Sequence, residues 1–372
     1  MIFLKSSESG KMKPIEVKLG SRSYKVHVEY GLLKKTGSIV RSLCSSEKIM
    51  ILSTPKIYCL YGQTVFDSLS SKGFKVYPFL ISDGETHKNE KTLFKVLREM
   101  TRLSFQRDAC LLALGGGVTG DLGGFAASIY MRGIQFVQCP TTFLAQVDAG
   151  IGGKTAIDFE GVKNIIGSFY QPKVVLADTA VLKTLSDRQL KTGLAEVIKY
   201  GIIKDATMFG RLEAQLEVVL RRNPKMLLQL IWRSCQIKAQ IVSEDEREGG
   251  KRAWLNYGHT LGHALEAYFN YDVLTHGEAI AYGMMFAARL SVQLGLCAEE
   301  VADRQINLLR KAGLFRPIRR FNVKKVYEKM FLDKKAKNGQ IQFVLTRKIG
   351  LVTIQKSVPQ SIVFSILRQL QD

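Results

Sequence analysis

The feature that most constrains the fold is an alternation of short apolar runs with amphipathic stretches in the first half of the chain. Helical patterns such as NEKTLFKVLREMTRL (89–103) separate runs of strand length. Strands that alternate with helices pack as a mostly parallel sheet covered on both faces, so each run predicts a buried strand. The runs are KIMILS (48–53), KVYPFLI (75–81), ACLLALG (109–115), FVQCPT (136–141) and KVVLAD (173–178).

The alternation stops near residue 185, where helical periodicity takes over. Ser186, followed three residues later by Gln189, fits a capping box that opens a helix. Residues 223–246, 259–269 and 277–295 are also helix-like, and residues 340–355 form a short β-like segment. A chain of 372 residues usually holds two domains. The sequence therefore predicts an α/β fold: an N-terminal Rossmann-like, mostly parallel sheet domain (residues 1–185) followed by a mainly α-helical domain (residues 186–372).

Composition limits the classes of function. The net charge is +21, and from Arg304 onward 16 Lys and Arg face three acids. Two explanations compete: a nucleic-acid surface, or a basic proteome combined with an anionic substrate. Nucleic-acid binding is not expected as the main function, because no arginine-rich tail, aromatic–basic repeat or zinc-finger spacing accompanies the excess. No apolar run approaches the roughly 18–20 residues of a membrane helix, and the first residues do not read as a secretory signal. Six scattered cysteines without a C-x-x-C pair favour reduced thiols and a cytoplasmic location.

A glycine-rich segment follows the predicted strand at 109–115. Gly115, Gly117 and Gly120 satisfy the spacing G-x-G-x-x-G at the start of a helix. Glycines let the backbone approach a pyrophosphate, whose charge the free amides and the helix dipole stabilise. The acidic residue expected about 20 positions later is missing, so an ordinary Rossmann domain is not expected. The alternative is a tight turn that binds nothing.

Three histidines and a glutamate form a candidate metal site. His259 and His263 lie four residues apart, on one face of a predicted helix. Residue 260 is threonine, so the H-E-x-x-H motif of a zincin protease is absent. His276 follows one short loop later, and Glu196 is an acid in an apolar helical stretch, which needs a partner or a metal. Two imidazoles and one carboxylate would leave the open position of a catalytic zinc, but spacing does not say which two histidines bind.

Several cations lie close to these motifs in the sequence. Each is a surface residue by default, although Lys199 stands one turn from Glu196 in an apolar stretch. Together they would suit a small polyanion that carries a phosphate and a carboxylate. We therefore expect a cationic pocket formed by Lys154, Lys163, Lys199, Lys238 and Arg252.

Long ordered segments from residue 15 to residue 350 resemble the 3-dehydroquinate synthase family. They are GGGVTGDLGGFAASIYMRGIQFVQCPTTFLAQVDAGIGGKTAID, KNIIGSFYQP, GLAEVIKYGII, LNYGHTLGHALE and HGEAIAYGM. The resemblance implies a carbocycle-forming phosphorus–oxygen lyase. It would convert 3-deoxy-D-arabino-heptulosonate 7-phosphate to 3-dehydroquinate and phosphate in the shikimate pathway, toward chorismate and the aromatic amino acids. It also implies NAD, a divalent metal (zinc, or cobalt) and a homodimer.

The resemblance also implies roles for individual residues. The metal ligands would be Glu196, His259 and His276, with His263 in proton transfer or substrate binding. Arg132 matches an arginine that reaches the phosphate from the other subunit. The nicotinamide cofactor would contact Asp83, Gly84, Glu85, Thr86, His87, Lys88, Gly117, Val118, Thr119, Gly120, Asp121, Thr141, Thr142, Lys154, Lys163, Val181, Leu182, Lys183 and Thr184. The substrate would contact Asp148, Lys154, Asn164, Lys199, Lys238, Glu248, Arg252, Asn256, His263 and either Lys334 or Lys335.

Two departures from the family pattern and several rivals accompany this reading. Gly150 stands where relatives usually have serine, and Thr54 and Pro55 stand where they often have an acid or amide for the adenine ribose. The enzymatic rivals are a metal-dependent NAD polyol dehydrogenase, which presents an aspartate with two histidines, and another sugar phosphate cyclase. The non-enzymatic rival is a basic nucleic-acid-binding protein.

Overall fold

The computed structural model describes residues 12–332 and 341–371. Lys334 and Lys335 lie outside the described residues. The strands are β1 (Ile15–Val17), β2 (Tyr24–Glu29), β3 (Lys48–Ser53), β4 (Lys75–Leu80), β5 (Cys110–Gly115), β6 (Gln135–Pro140), β7 (Lys154–Phe159), β8 (Val162–Phe169), β9 (Val174–Asp178), β10 (Phe343–Lys348) and β11 (Leu351–Gln355).

Helices fill most of the remaining chain. They are α1 (Thr36–Arg41), α2 (Pro55–Ile57), α3 (Gln63–Ser70), α4 (Glu90–Arg102), α5 (Gly117–Ile129), α6 (Asp187–Ile203), α7 (Ala206–Leu220), α8 (Pro224–Glu244), α9 (His259–Tyr268), α10 (His276–Gln293), α11 (Glu299–Lys311), α12 (Val323–Leu332) and α13 (Gln360–Gln369). No helix in the described part of the chain is long and apolar enough to span a bilayer.

The main sheet has seven strands in the order β1-β2-β9-β6-β5-β3-β4. All neighbours pair in parallel except β1, which is antiparallel to β2. The centre is apolar on both faces, and β5 and β9 are buried at every position. This confirms the predicted fold class and four of the five predicted buried strands.

The prediction of a buried strand at residues 75–81 is wrong in its burial. The strand forms, but β4 lies at the edge of the sheet, and none of its six residues is fully buried. Pro78 occupies its middle, where an edge strand tolerates the missing N–H. The apolar run KVYPFLI looks like a central strand because hydrophobicity alone does not distinguish a covered strand from an edge.

The described chain groups into two compact units. Unit 1 contains the described residues up to Leu185 together with Pro224–Glu246, and unit 2 contains Ser186–Asn223 and the described residues from Arg247 onward. This grouping differs from the predicted division at residue 185 in one helix, because α8 packs against β1 and β2 of the sheet. The names given to the two domains, NAD-binding and metal- and substrate-binding, stay predictions.

The strand order places a topological switch point between β3 and β5. The chain leaves β3 toward β4 on one side and leaves β5 toward β6 on the other. In open parallel sheets, ligands bind beyond the carboxyl ends of the strands at such a point. Here Thr54 follows β3 and the glycine segment follows β5, and the Ser53 hydroxyl donates to the Leu114 carbonyl at 2.7 Å. The fold therefore presents this edge of unit 1 as a binding edge.

Candidate active site

Unit 2 brings the predicted metal ligands together. Glu196 lies in the middle of α6, His259 begins α9 and His276 begins α10. The Glu196 Oε1 atom is 3.4 Å from the His259 Nε2 atom and 3.5 Å from the His276 Nε2 atom. One donor atom from each residue lies within 4.8 Å of the others. The predicted ligand set therefore forms one compact cluster of a carboxylate and two imidazoles.

The geometry of this cluster fits a divalent metal ion. Ligands bound tetrahedrally at 2.0–2.1 Å are about 3.3 Å apart, close to both measured separations. Glu196 is fully buried, yet neither carboxylate oxygen has a hydrogen-bond partner among the described residues. Oε2 contacts the Lys199 ammonium as an ion pair without hydrogen-bond geometry. Oε1, which faces both imidazole nitrogens and has no hydrogen bond among the described residues, is the oxygen that a bound cation would satisfy.

The charge states in the cluster follow from its surroundings. Burial opposes ionisation of Glu196, but Lys199 and the two histidines outweigh it, and the pKa of Glu196 lies well below its ordinary value. Burial, and then the Lys199 charge, lower the pKa of His259 to about 3, which leaves a neutral imidazole that can bind a metal. Burial also acts against His276, but the Glu266 and Glu196 carboxylates raise its pKa to about 10. A metal ion must therefore displace a proton from His276.

The outer nitrogens of both imidazoles have partners that fix the rings. His259 Nδ1 lies 3.1 Å from the Tyr257 carbonyl, and His276 Nδ1 lies 3.4 Å from the Glu266 Oε2 atom. Such partners orient metal-binding histidines and raise their basicity. Glu266 was not among the residues predicted from the sequence. Its position seven residues after His259 places it on the same face of α9, and this was the available signal.

A second grouping of potential ligands shares His276. His263 and Glu266 lie with it close enough to hold an ion. In this group Glu266 already has a hydrogen-bonding partner in His276 Nδ1, whereas the Glu196 oxygens have none. The His263 ring lies 5.2 Å from the His259 ring, centroid to centroid. The Glu196 grouping is therefore the stronger metal site, with His263 beside it.

Close helix packing positions these donors. A Cβ atom on Gly277 would lie 2.4 Å from the Thr192 Cα atom, so glycine is what lets the start of α10 lie against α6. Gly258 has φ +78° directly before α9, a conformation that glycine adopts without strain. The side chain and amide of Thr275 and the carboxylate and amide of Glu278 form a capping box that begins α10 at His276. The helix starts thus place both imidazoles toward Glu196.

Two of the other predicted substrate residues of unit 2 are buried, and Glu248 and Asn256 are half-buried. Lys199 is 1% exposed and Arg252 is 2% exposed. The Asn256 amide donates to the Glu248 Oε1 atom at 2.9 Å, and Glu248 has φ +64°. Two cations, a carboxylate and an amide provide the donors and acceptors that a polyhydroxylated anion requires.

In unit 1, the glycine segment forms the predicted turn into α5. Gly116 precedes the helix, and no side chain caps the first amides of α5. A Cβ atom on Gly115 would lie 2.4 Å from the Thr119 hydroxyl oxygen, and one on Gly120 would lie 2.8 Å from the Gln138 side chain. Only glycine allows this close approach. Val118 and Thr119 continue the first turn, whose free amides suit a pyrophosphate.

A buried polar cluster lies beside this helix. The Lys88 ammonium donates to the Asp121 Oδ2 atom at 2.6 Å and to the Asn164 Oδ1 atom at 2.5 Å. Lys88 is 3% exposed, and although burial disfavours its charge, Asp121 and Glu85 raise its pKa. Lys163 forms an ion pair with Glu85 at 3.4 Å. Four residues predicted for the cofactor and one predicted for the substrate are thus brought together in unit 1.

Further along unit 1, Asp148 and Lys238 meet. The Lys238 ammonium donates to the Asp148 Oδ1 atom at 2.5 Å and to its carbonyl at 2.7 Å. Lys238 lies on α8, the helix that joins unit 1, and is nearly buried. Sequence spacing gave no sign of this pairing, because α8 follows 38 residues after the sheet domain was expected to end.

Three threonines with unsatisfied hydroxyls directly follow strands of the main sheet. Thr54 follows β3, Thr141 follows β6 and Thr179 follows β9, and none of their buried Oγ1 atoms has a partner in the described chain. Unpaired hydroxyls at the binding edge of the sheet fit a polar ligand such as a dinucleotide. Sequence analysis named Thr141 but missed Thr179, and treated Thr54 only as a departure.

The Gly150 departure has a steric reason. A Cβ atom at this position would lie 2.8 Å from the Ala145 carbonyl oxygen, within the π-helical turn Ala145–Ala149 that carries Asp148. A serine here would require the turn to shift. Glycine at position 150 therefore allows the backbone to lie close to the Ala145 carbonyl oxygen.

The remaining predicted positions of unit 1 lie in loops, at the start of β7 and in a 3-10 helix whose Val181 and Leu182 are buried. Arg132 is exposed at φ +65°, and Lys154 is exposed at the start of β7. Thr142 accepts from the Ala145 amide at 3.1 Å. Four predicted residues after β4 are exposed or half-buried: Asp83, Gly84, Thr86 and His87. The 3-10 helix Thr179–Thr184 contains the last four predicted positions, Val181, Leu182, Lys183 and Thr184. The Tyr61 hydroxyl contacts this helix at the Val181 carbonyl and the Thr184 hydroxyl.

Known proteins are similar to this chain in sequence and in fold. The chain matches the "3-dehydroquinate synthase N-terminal" family over residues 78–192 and the "3-dehydroquinate synthase C-terminal" family over residues 193–336. A 3-dehydroquinate synthase of Picosynechococcus is 45% identical over 94% of this chain and 97% of the relative.

Two solved structures resemble the fold closely. A 2-epi-5-epi-valiolone synthase from Streptomyces hygroscopicus, with NAD+ and Zn2+ bound, has a TM-score of 0.86 at 28% identity, covering 95% of this chain and 98% of that one. A 2-deoxy-scyllo-inosose synthase complexed with carbaglucose-6-phosphate, NAD+ and Co2+ has a TM-score of 0.87 at 26% identity, covering 96% of this chain and 100% of that one. Full-length identity to named relatives and the matched family segments together establish that this chain belongs to the 3-dehydroquinate synthase family.

Proposed function

We propose that this chain is a lyase that converts 3-deoxy-D-arabino-heptulosonate 7-phosphate to 3-dehydroquinate and phosphate with NAD and a divalent metal ion. The observation that carries the proposal is the compact cluster of Glu196, His259 and His276 in a chain 45% identical to a named synthase. When bound, NAD+ takes up and returns a hydride while the metal ion polarises substrate oxygens.

The residues of unit 2 hold the metal and the substrate. Glu196, His259 and His276 bind the ion, and Glu266 and the Tyr257 carbonyl orient the two rings. Lys199, in contact with Glu196, offers a fixed positive charge where oxygen atoms of the substrate gain negative charge. His263 lies at the edge of the cluster and is suited to accept or return a proton.

Anionic and hydroxyl groups of the substrate need further partners. Arg252, Asn256 and Glu248 in unit 2 supply a guanidinium, an amide and a carboxylate. Unit 1 offers ammonium groups, an amide and a carboxylate, from Lys154, Lys238, Asn164 and Asp148. Fixed donors of this type orient a substrate and contribute to catalysis by positioning.

The cofactor belongs at the carboxyl edge of the sheet in unit 1. The free amides of α5 receive the pyrophosphate, and Lys88, Asp121 and Lys163 surround the remaining polar groups. Thr54, Thr141 and Thr179 offer hydroxyls that lack other partners among the described residues. NAD is chosen over a wider set of ligands because the neighbours with this fold hold NAD+.

A homodimer is part of this proposal. Apolar side chains lie exposed on the hairpin of β7 and β8 and on the end of α5, and Arg132 lies beside them. Such a patch on a surface otherwise rich in charge suits a second copy of the chain. The exposed apolar residues are Ile129, Met131, Phe159, Val162, Ile165, Ile166 and Phe169. Val162→Lys should yield a monomer by light scattering, whereas Phe94→Lys, at an equally exposed position on α4, should not.

One assay tests the proposed reaction. The protein is given the heptulosonate phosphate, zinc and NAD+ at a concentration far below that of the substrate. A synthase releases phosphate in large excess over NAD+ without accumulating NADH. A polyol dehydrogenase instead makes NADH in proportion to the substrate consumed. Absence of phosphate release with this substrate, together with release from a different sugar phosphate, would assign the chain to another cyclase.

A further inference from the structure

A cleft in unit 2 lies away from the candidate metal-binding residues Glu196, His259 and His276, called the metal cluster below. It has a volume of about 610 Å³ and is walled by α10, α11, α13 and the segment after α11. Clefts that bind small molecules have volumes of about 300–1,000 Å³ and are lined mostly by apolar groups with a few polar ones. The size of this cleft falls within that range, and its lining mixes apolar side chains with polar and charged ones in about equal measure.

The cleft and the metal cluster use opposite faces of α10. His276, Ile280 and Met284 follow one face, which packs toward α9. Tyr282, Met285, Arg289, Val292 and Gln293 line the cleft. At about 100° per residue, the second set points roughly 180° from the first. The cleft is therefore separate from the candidate active site.

The walls of the cleft suit a flat apolar group. Tyr282 and Phe315 pack edge to face, with ring centroids 5.2 Å apart, and the Tyr282 hydroxyl donates to the Arg316 carbonyl at 2.7 Å. Ile306 and Ile366 contribute apolar surface from α11 and α13. Because the tyrosine hydroxyl is already paired, both rings present carbon surface to a ligand.

Among the residues that the structure describes, Arg310 gives the cleft its one available positive charge. The charged lining residues are Arg289, Glu299 and Arg310, and Arg289 is committed to Glu299 and, at 3.1 Å, to Asp303. Arg310 is exposed and has no ion-pair or hydrogen-bonding side-chain partner among the described residues. A guanidinium beside apolar walls binds a carboxylate through paired hydrogen bonds.

We propose that this cleft is a second ligand site, which binds a small organic acid with an aromatic or alicyclic ring and a single negative charge. The ring lies between α10, α11 and α13, and the acidic group pairs with Arg310. The site does not depend on the metal cluster or on the reaction at it.

The test measures binding of 2-naphthoate to the zinc- and NAD+-saturated protein by isothermal titration calorimetry. The neutral isostere 2-naphthalenemethanol serves as the uncharged probe. We expect saturable one-to-one binding of 2-naphthoate and binding of the alcohol that is weaker by about tenfold or more, the order set by one charge-assisted hydrogen bond.

Variants locate the site. Arg310→Gln should weaken 2-naphthoate by about tenfold, and Val292→Trp should abolish binding by filling the cleft. Lys311→Gln removes the same charge one residue further along, outside the cleft lining, and should leave binding unchanged. Circular dichroism and thermal melts establish that each variant is folded; if Val292→Trp is not, Met285→Trp replaces it.

Three outcomes overturn the proposal. The first is no binding of 2-naphthoate. The second is equal weakening by Arg310→Gln and Lys311→Gln, which would indicate nonspecific attraction to the basic surface. The third is a change in oligomeric state on cleft filling, which would make the cleft an interface between copies of the chain.

Discussion

The metal cluster of unit 2 and the glycine edge of unit 1 bind their proposed ligands through different kinds of group. The glycine edge is the turn from β5 into α5 that contains Gly115, Gly117 and Gly120. In the metal cluster the donors are side chains from three helices, of which Glu196 and His259 are buried and His276 is half-buried, and the central carboxylate oxygens have no hydrogen bond among the described residues. At the glycine edge the main donors are backbone amides of α5, and the charged side chains nearby, Lys88 and Asp121, already pair with each other. At the first site an unpaired buried oxygen belongs to a charged side chain, whereas at the second the charged side chains are paired and the groups left for a ligand are backbone amides and threonine hydroxyls. Side-chain changes should therefore affect the metal cluster more than the glycine edge.

The largest effect is expected from Glu196→Gln. The change removes the central charge and leaves the Lys199 ammonium buried without its partner, at a cost of about 3–5 kcal/mol in the free energy of unfolding. Turnover should fall by at least about a thousandfold with loss of bound zinc. Zinc content by mass spectrometry and the phosphate-release assay measure both. Glu213→Gln, which breaks an ion pair with Arg304 in the same unit, should keep zinc and turnover; retention of zinc by the Glu196 variant would remove Glu196 from the site.

The next effect is expected from Glu266→Gln. The variant weakens the partner of His276 Nδ1 without touching the ion, and changes of this kind cost about 10–100-fold in metal affinity. Zinc affinity measured by competition with a chromophoric chelator should fall within that range. The exposed Glu217→Gln serves as the matched control. Equal affinities in the two variants would mean that Glu266 does not orient His276.

A smaller effect at the other site is expected from Lys88→Met. The substitution removes the ammonium that donates to Asp121 and Asn164. The affinity for NAD+ should therefore fall by about tenfold, while the zinc content stays the same. Fluorescence titration with NADH, and with NAD+ as competitor, measures the change. Lys91→Met on α4 is an exposed control. A loss of zinc in the Lys88 variant would contradict the independence of the two sites.

The smallest expected effect tests the backbone packing behind the metal cluster. In Gly277→Ala the added methyl meets the Thr192 backbone, and overpacking of this kind costs about 1–3 kcal/mol. Zinc affinity should fall together with the stability, because His276 is the residue next to Gly277. Gly210→Ala on α7 has open space around its Cβ position and should stabilise the protein by up to about 1 kcal/mol. Urea unfolding of both variants provides the comparison, and an unaffected Gly277 variant would show that this helix contact can relax.

The two sites also differed in how far they could be predicted. The glycine edge is a local motif, so the turn, the start of α5 and the preceding strand could be predicted within one or two residues. The residues of the metal cluster could be named, but spacing alone left open which histidines lie with Glu196. The positions of Lys238, Glu266 and Thr179 gave little or no signal, because their relevance depends on segments distant in the chain. The hairpin of β7 and β8 was not predicted, since its exposed apolar residues do not alternate as in a one-sided strand.

The sequence by itself determined the family, the parallel-sheet class and the chemical kinds of group available, because ordered motifs and apolar periodicity are properties of local chain segments. The tertiary structure decided what those groups meet: that Glu196, His259 and His276 approach to hydrogen-bonding distances, that α8 joins the sheet unit, and that KVYPFLI lies at an edge. These are contacts between segments far apart along the chain. They follow from the balance of burial and close packing over the whole molecule, which a local pattern of residues does not encode.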